Sequence, residues 1–195
     1  MKQAGLVNGF KDWLRLVFNP RTKFRYYLLT LMMLALFIGT GLLFAQGKVS
    51  GPWYLLIVTL PLMLLGGGLE EPGWRLVLQP GLQKRWGFIP AVTVVGLIWA
   101  GWHLPLFFVA FTTQYGTSFL YFAIMVLGLA YAVGVIRSFS SSVFLCILFH
   151  CLFNASGGVF SYQISLLNVS SITLIMVAVS VLLIGLKDGI KALWG

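Results

Sequence analysis

Acidic residues are almost missing from this sequence: four in 195 positions, namely Asp12, Glu70, Glu71 and Asp188. Histidine is scarcer still, with only His103 and His150, and charged residues of both signs make up 9% of the chain. Globular domains carry about 25% charged residues. A chain so poor in charge cannot cover a water-facing surface, and its composition also excludes a disordered or collagen-like polypeptide. Only two cysteines are present, Cys146 and Cys151, both inside an apolar stretch. That excludes a disulfide framework and a CxxC redox pair, and marks both as small buried side chains.

What is abundant is apolar sequence. Hydrophobic residues make up 59% and the mean hydropathy is +0.97. A membrane span needs about 20 mostly apolar residues. Six runs meet or approach that length: Tyr26 to Phe44, Trp53 to about Leu69, about Phe88 to Phe111, Ser118 to Ile136, Ser142 to about Val159, and Leu166 to Leu186. The expected fold class is all-α, a polytopic transmembrane helical bundle of about six spans.

The net charge of +9 does not point to nucleic acid. Basic residues sit between the apolar runs, and no basic patch with an aromatic platform is visible. With six spans, twelve of the thirteen Lys and Arg fall on one side and only Lys48 on the other. Cytoplasmic loops carry the excess of Lys and Arg, so both termini are expected in the cytoplasm. Before the first run, Leu6, Val7, Phe10, Trp13, Leu14, Val17 and Phe18 recur at helical spacing, with Lys2, Lys11 and Arg15 between them. This reads as an amphipathic helix on the cytoplasmic leaflet, held by anionic membrane lipid. The expected division is residues 1–25 as interfacial helix and basic anchor, and 26–195 as one transmembrane domain. No internal repeat of the transporter kind is visible.

Ionisable groups inside spans are costly, about 2.5–3.5 kcal/mol each on insertion scales. Here they are Glu70, Glu71 and Arg75 at the end of the second run, His103 in the third and His150 in the fifth. Glu71 and Arg75 are four apart with the acid first, the favourable order for a helical ion pair. Glu70 points about 100° away on a helix and is left without a cation, which suits a general base or acid, or a metal ligand. His150 and Asn154 share one helix face, and both can donate hydrogen bonds to a developing oxyanion. Trp99 and His103 repeat that spacing, so the indole can wall off a wet pocket and fix the imidazole. Gly66, Gly67 and Gly68 precede the glutamates, Pro72 and Gly73 follow them, and Pro105 follows His103. Proline breaks or restarts a helix, and broken helices in a membrane are tolerated where they line a cavity.

Structural readings stand beside the chemical ones. An ion pair of Glu71 with Arg75 also serves simply to hold helices. A histidine or asparagine in a span also serves as interhelical glue. The glycines also serve close packing, and the tryptophans interfacial anchoring. Two glutamates and two histidines spread over three runs, with little else polar, are nevertheless what an intramembrane active site requires.

The segment Glu70-Glu71-Pro72-Gly73-Trp74-Arg75 matches the EExxxR motif of the CPBP family, the CAAX proteases and bacteriocin-processing (Abi) membrane proteins. Trp99-Ala100-Gly101-Trp102-His103-Leu104-Pro105 resembles its FxxxH motif, and His150-Cys151-Leu152-Phe153-Asn154 its HxxxN motif. The three stand in family order between Gly66 and about Gly158. Trp99 replaces the Phe of the short motif, and Leu76 stands where many members have Gly; neither change removes a chemical group.

The resemblance implies an intramembrane endopeptidase acting on a hydrophobic, membrane-associated or lipidated peptide or protein; the lack of organelle signals and of a large soluble domain makes a bacterial plasma membrane the expected location. Glu70 with His103 would activate water, His150 and Asn154 would stabilise the oxyanion, and Glu71, Arg75 and Trp99 would support the site. Members are commonly labelled metalloproteases, so a single divalent ion such as zinc on Glu70, His103 and His150 stays open beside glutamate-based catalysis. A catalytically silent bacteriocin-immunity or scaffold protein is the alternative, and a small proton-coupled transporter a further one. The cavity is expected to open to the cytoplasm or sideways to lipid. For His103 and Glu70 to meet, Leu76 to Gly87 is expected to lie along the cytoplasmic interface with the third run entering nearer Val92, and the second run also to tilt or run past Glu71.

Overall fold

A computed structural model describes residues 8–194. The protein is a helical polytopic membrane bundle. In chain order it runs α1 (Phe10–Val17), α2 (Phe24–Phe44), β1 (Lys48–Val49), α3 (Leu55–Val58), α4 (Leu60–Leu65), a 3-10 turn (Gly68–Glu70), a π-helical stretch (Pro72–Leu78), α5 (Gln79–Trp86) and α6 (Phe88–His103) with a 3-10 extension (Leu104–Phe108). It continues through α7 (Phe119–Ser140), α8 (Val143–Ser156), β2 (Phe160–Ser161), α9 (Leu166–Asp188) and α10 (Lys191–Trp194).

Among the described residues four helices are long and apolar enough to cross a membrane: α2, α6 with its extension, α7 and α9. The other two apolar runs fold differently from the continuous spans expected. The fifth forms the 14-residue α8, about 21 Å of helix against a hydrocarbon core of about 30 Å. The second is in pieces. Pro61 stands in the first turn of α4, where its missing N–H costs the ladder nothing, and α3 stops just before it. Gly67 has φ +154°, outside the range of an L side chain, and ends the α-helical path ahead of the glutamates.

The chain then runs on past Glu71. Pro72 opens the π-helical stretch, which passes directly into α5 and ends at Gly87, φ +74°. Leu76 to Gly87 is thus helical almost throughout, and α6 begins at Phe88, which is fully buried. The expected restart at Pro72 and the helix change at Pro105 are both present.

The core is built around α7. Small residues let its neighbours approach closely. A Cβ on Gly128 would stand 3.1 Å from Thr173 Cα, and one on Gly134 would stand 2.8 Å from Val92 Cγ2. Serine hydroxyls cap helix starts: Ser118 Oγ accepts from the Tyr121 amide at 3.4 Å, Ser142 Oγ from Leu145 at 3.4 Å, and Ser165 Oγ from Asn168 at 3.2 Å. From α1, Val17 is buried beside Val143, Ile147 and Cys151, with Trp13 and Phe18 packed at the edge. Leu6 and Val7, expected in the same helix, lie outside the described residues.

The two ends of the bundle differ chemically. At one end β1 pairs with β2, Ser50 N donates to Val159 O at 2.8 Å and Gln163 N to Ala45 O at 2.8 Å. Lys48 is the basic residue of this end. At the other end Arg25, Phe139 and Lys187 border one hollow, and Lys84, Arg137 and Ser138 border a second.

Candidate active site

The polar residues singled out in the sequence lie in two adjoining clusters. In the first, Glu70 accepts a hydrogen bond from Trp99 Nε1 at 2.9 Å and a longer one from Trp74 Nε1 at 3.5 Å. His103 Nε2 faces Glu70 Oε1 at 3.8 Å. His103 Nδ1 is 2.9 Å from the Trp99 carbonyl oxygen. A carbonyl only accepts, so Nδ1 carries the proton, and Nε2 of the neutral ring presents a lone pair toward Glu70. The gap between Glu70 and His103 is too long for a direct hydrogen bond and suits a bridging water.

These two meet because the chain between them is a hairpin. Glu70 stands seventeen residues before Gly87 and His103 sixteen after it. Two antiparallel helical limbs of nearly equal length therefore bring the carboxylate and the imidazole level.

In the second cluster Glu71 is fully buried. Arg75 Nε donates to Glu71 Oε2 at 2.9 Å, and His150 Nδ1 lies 2.8 Å from Glu71 Oε1. The ion pair expected from the sequence is present, and Glu71 also holds His150. A ladder that sequence reasoning missed extends from it. Arg75 Nη1 donates to Gln79 Oε1 at 2.9 Å, and Gln79 Nε2 donates to Gln83 Oε1 at 3.1 Å and to Gly134 O at 3.1 Å. Arg137 Nε donates to the Arg75 carbonyl oxygen at 2.7 Å. The signal was the four-residue repeat Glu71, Arg75, Gln79, Gln83. Trp74 was missed too, although it stands four residues after Glu70.

Trp99 joins the clusters. Its ring lies 5.2 Å from that of His150 and 6.4 Å from that of His103, with the Arg75 guanidinium 6.0 Å over it. The replacement of Phe by Trp is therefore not neutral in the structure, because the added indole N–H is the shortest hydrogen bond to Glu70.

His150 Nε2 and Asn154 Nδ2 face a common space beside Gly67. A Cβ on Gly67 would lie 2.6 Å from His150 Nε2 and 2.8 Å from Asn154 Nδ2. Glycine is required there twice over, by φ and by this approach. Asn154 Nδ2 also donates to Gly66 O at 3.3 Å, which leaves its second N–H free.

A cavity of about 470 Å³ touches Trp99, His103, His150 and Asn154, with Met63, Phe122, Met125, Val126, Leu129 and Phe153 as apolar wall. Glu70 is not among its lining residues and adjoins it through His103 and Trp99; its side chain is 25% exposed. The cavity reaches Thr113 and Gln114 in the segment between α6 and α7.

A family model described as type II CAAX prenyl endopeptidase Rce1-like matches residues 50–156, which hold every one of these side chains. The chain belongs to the Rce1-like CAAX endopeptidase family. A protein named CAAX prenyl protease 2, from Methanococcus maripaludis, is 32% identical over 102 residues, covering 48% of this chain. The matched part spans 37% of that relative's length.

In this Rce1-like chain each histidine already engages its Nδ1, His103 with the Trp99 carbonyl oxygen and His150 with Glu71. His150 turns Nδ1 to Glu71, not Glu70, and Glu70 and His103 stand as a pair. Among the described residues no three His, Cys, Asp or Glu side chains are grouped to hold a metal ion.

Proposed function

We propose that this protein is an intramembrane endopeptidase that hydrolyses a peptide bond in a hydrophobic, membrane-associated or lipidated peptide or protein. The observation that carries the reading is the facing pair Glu70 and His103, beside a cavity that His150 and Asn154 also line. Water held between Glu70 Oε1 and His103 Nε2 gives a proton to Glu70 as its oxygen bonds to the scissile carbonyl carbon. The electron pair of the carbonyl moves to oxygen. His150 Nε2 and Asn154 Nδ2 donate to that oxyanion. With Nδ1–H on Glu71, Nε2 donates only when the ring holds both protons. Collapse breaks the C–N bond, and Glu70 returns its proton to the leaving amine. Arg75 balances Glu71, and Trp99 aims the Glu70 carboxylate.

The test uses purified protein in lipid nanodiscs with quenched apolar and lipidated peptides, products being read by mass spectrometry. Glu70→Gln is expected to lower cleavage by at least about 10²-fold, the loss of general-base action. Equal cleavage by wild type and Glu70→Gln overturns the reading. A chelator arm separates the two chemistries: unchanged cleavage supports glutamate action, and loss restored by zinc moves Glu70, His103 and His150 to a metal-holding role.

A further inference from the structure

The ends of two spanning helices meet at a hollow outside the candidate active site. Both α2 and α9 are long and apolar enough to cross a membrane. Arg25 is the second residue of α2 and Lys187 the last but one of α9, so both stand where a bilayer passes from hydrocarbon to headgroups. The two side chains border one hollow of about 500 Å³. One turn deeper on each helix a leucine lines the same hollow, Leu29 four residues after Arg25 and Leu183 four residues before Lys187. Residues four apart share a helix face. Each helix therefore offers the same order to one space, a cation at its end and a leucine nearer its middle. Phe139 of α7 is the third wall, with Lys187 Nζ 5.3 Å from its ring centre. Tyr26, Leu29, Phe139 and Leu183 pack on the buried core, so the walls are fixed before anything enters.

The head of the hollow suits an anion. Arg25 Nη2 donates to the Tyr26 hydroxyl oxygen at 3.0 Å, which leaves the other guanidinium N–H groups and the hydroxyl hydrogen to donate. Among the described residues no carboxylate pairs with Arg25. Lys187 does have a carboxylate partner: Nζ donates to both oxygens of Asp188 at 2.8 Å. That pair is exposed, and exposed pairs are weak, so a phosphate can share the ammonium.

We infer that this hollow binds one anionic phospholipid, its phosphate between Arg25 and Lys187 and an acyl chain along Leu29 and Leu183. Basic pockets between membrane helices hold such headgroups. Two cations stand against one acid, so a lipid with net negative charge is favoured over a zwitterionic one. The site is a discrete one, unlike the general attraction to anionic lipid expected of α1. It stands apart from the endopeptidase reading, since no residue lines both this hollow and the cavity beside His103 and His150.

The test is native mass spectrometry of the full chain in detergent. The protein is titrated with phosphatidylglycerol, with phosphatidylcholine of the same acyl chains, and with glycerol 3-phosphate. One phosphatidylglycerol is expected to stay bound, with phosphatidylcholine held more weakly. Arg25→Gln combined with Lys187→Gln is expected to weaken phosphatidylglycerol binding roughly 30-fold, about fivefold for each charge removed. Both side chains are exposed, so the fold does not depend on them, and Arg25→Lys should keep most of the binding. Lys84→Gln combined with Arg85→Gln, the same charge change at the end of α5, should leave it nearly unchanged. Equal binding of the two lipids, unchanged binding by the Arg25 and Lys187 variant, or equal loss in both double variants overturns the proposal. Displacement of phosphatidylglycerol by glycerol 3-phosphate at a like concentration also overturns it, by showing a plain phosphate site. So does a dimer that the Arg25 and Lys187 variant dissolves, because a second copy would then cover the hollow.

Discussion

Helix α7 and the broken stretch from Leu55 to Trp86 use burial in opposite ways. In α7 the buried residues are Val126 and the run Gly128 to Ile136, all apolar or glycine apart from the Tyr131 hydroxyl. In the broken stretch α3 and α4 bury nothing. The residues buried after them are Gly67, Gly68, Glu71, Pro72, Arg75 and Gln79. One segment is held by close packing of small and branched side chains, the other by an ion pair and amides that find partners on α7 and α8. Lipid already solvates apolar side chains, so a membrane helix gains little by hiding them, whereas a charge gains much by being enclosed. The broken stretch is therefore held in place by the groups that are costly in lipid, and these are also the groups beside the cavity.

Breaking the buried polar set should have the largest effect. Glu71→Gln removes the charge that balances Arg75 and holds His150. Loss of one partner of a buried pair costs about 3–5 kcal/mol. Thermal unfolding in detergent should show a markedly lower midpoint, and an unchanged midpoint would mean that water reaches Arg75. Trp99→Phe restores the ring of the short motif and deletes the indole N–H on Glu70. A hydrogen bond to a charged group is worth about 1.5–3 kcal/mol. Cleavage should therefore fall by about one to two orders of magnitude while the unfolding midpoint moves little; full activity would show that Trp74 alone can orient the carboxylate. The smallest effect belongs to α7. Ile136→Val trims one buried methyl group at a cost of about 0.5–1.5 kcal/mol, with cleavage kept. A larger loss than that of Glu71→Gln would reverse the contrast between the segments.

Scarcity made much of this legible in advance. With four acids and two histidines in the chain, Glu70, Glu71, His103 and His150 could be named without coordinates. Periodicity gave the Glu71–Arg75 pair. What stayed hidden was the path of the chain after Arg75. Pro80 and Gly81 stand between Gln79 and Gln83 and interrupt the pattern to the eye. In the structure Pro80 sits in the first turn of α5, a position that tolerates it, and the helical path continues. Gly67 was singled out only as one of three glycines, since its contact with His150 and Asn154 joins residues more than eighty positions apart.

The equal limbs on either side of Gly87 make the site sensitive to length in a particular way. One residue inserted between Glu70 and Gly87, or between Gly87 and His103, shifts its functional group by about 1.5 Å and swings it about 100° around the helix axis. The two groups would then face different neighbours. Extra residues placed at the Gly87 turn itself leave both limbs untouched. Insertions and deletions in this chain should accordingly be forbidden within the limbs and tolerated at their junction, so the hairpin acts as a gauge that sets the distance between base and imidazole.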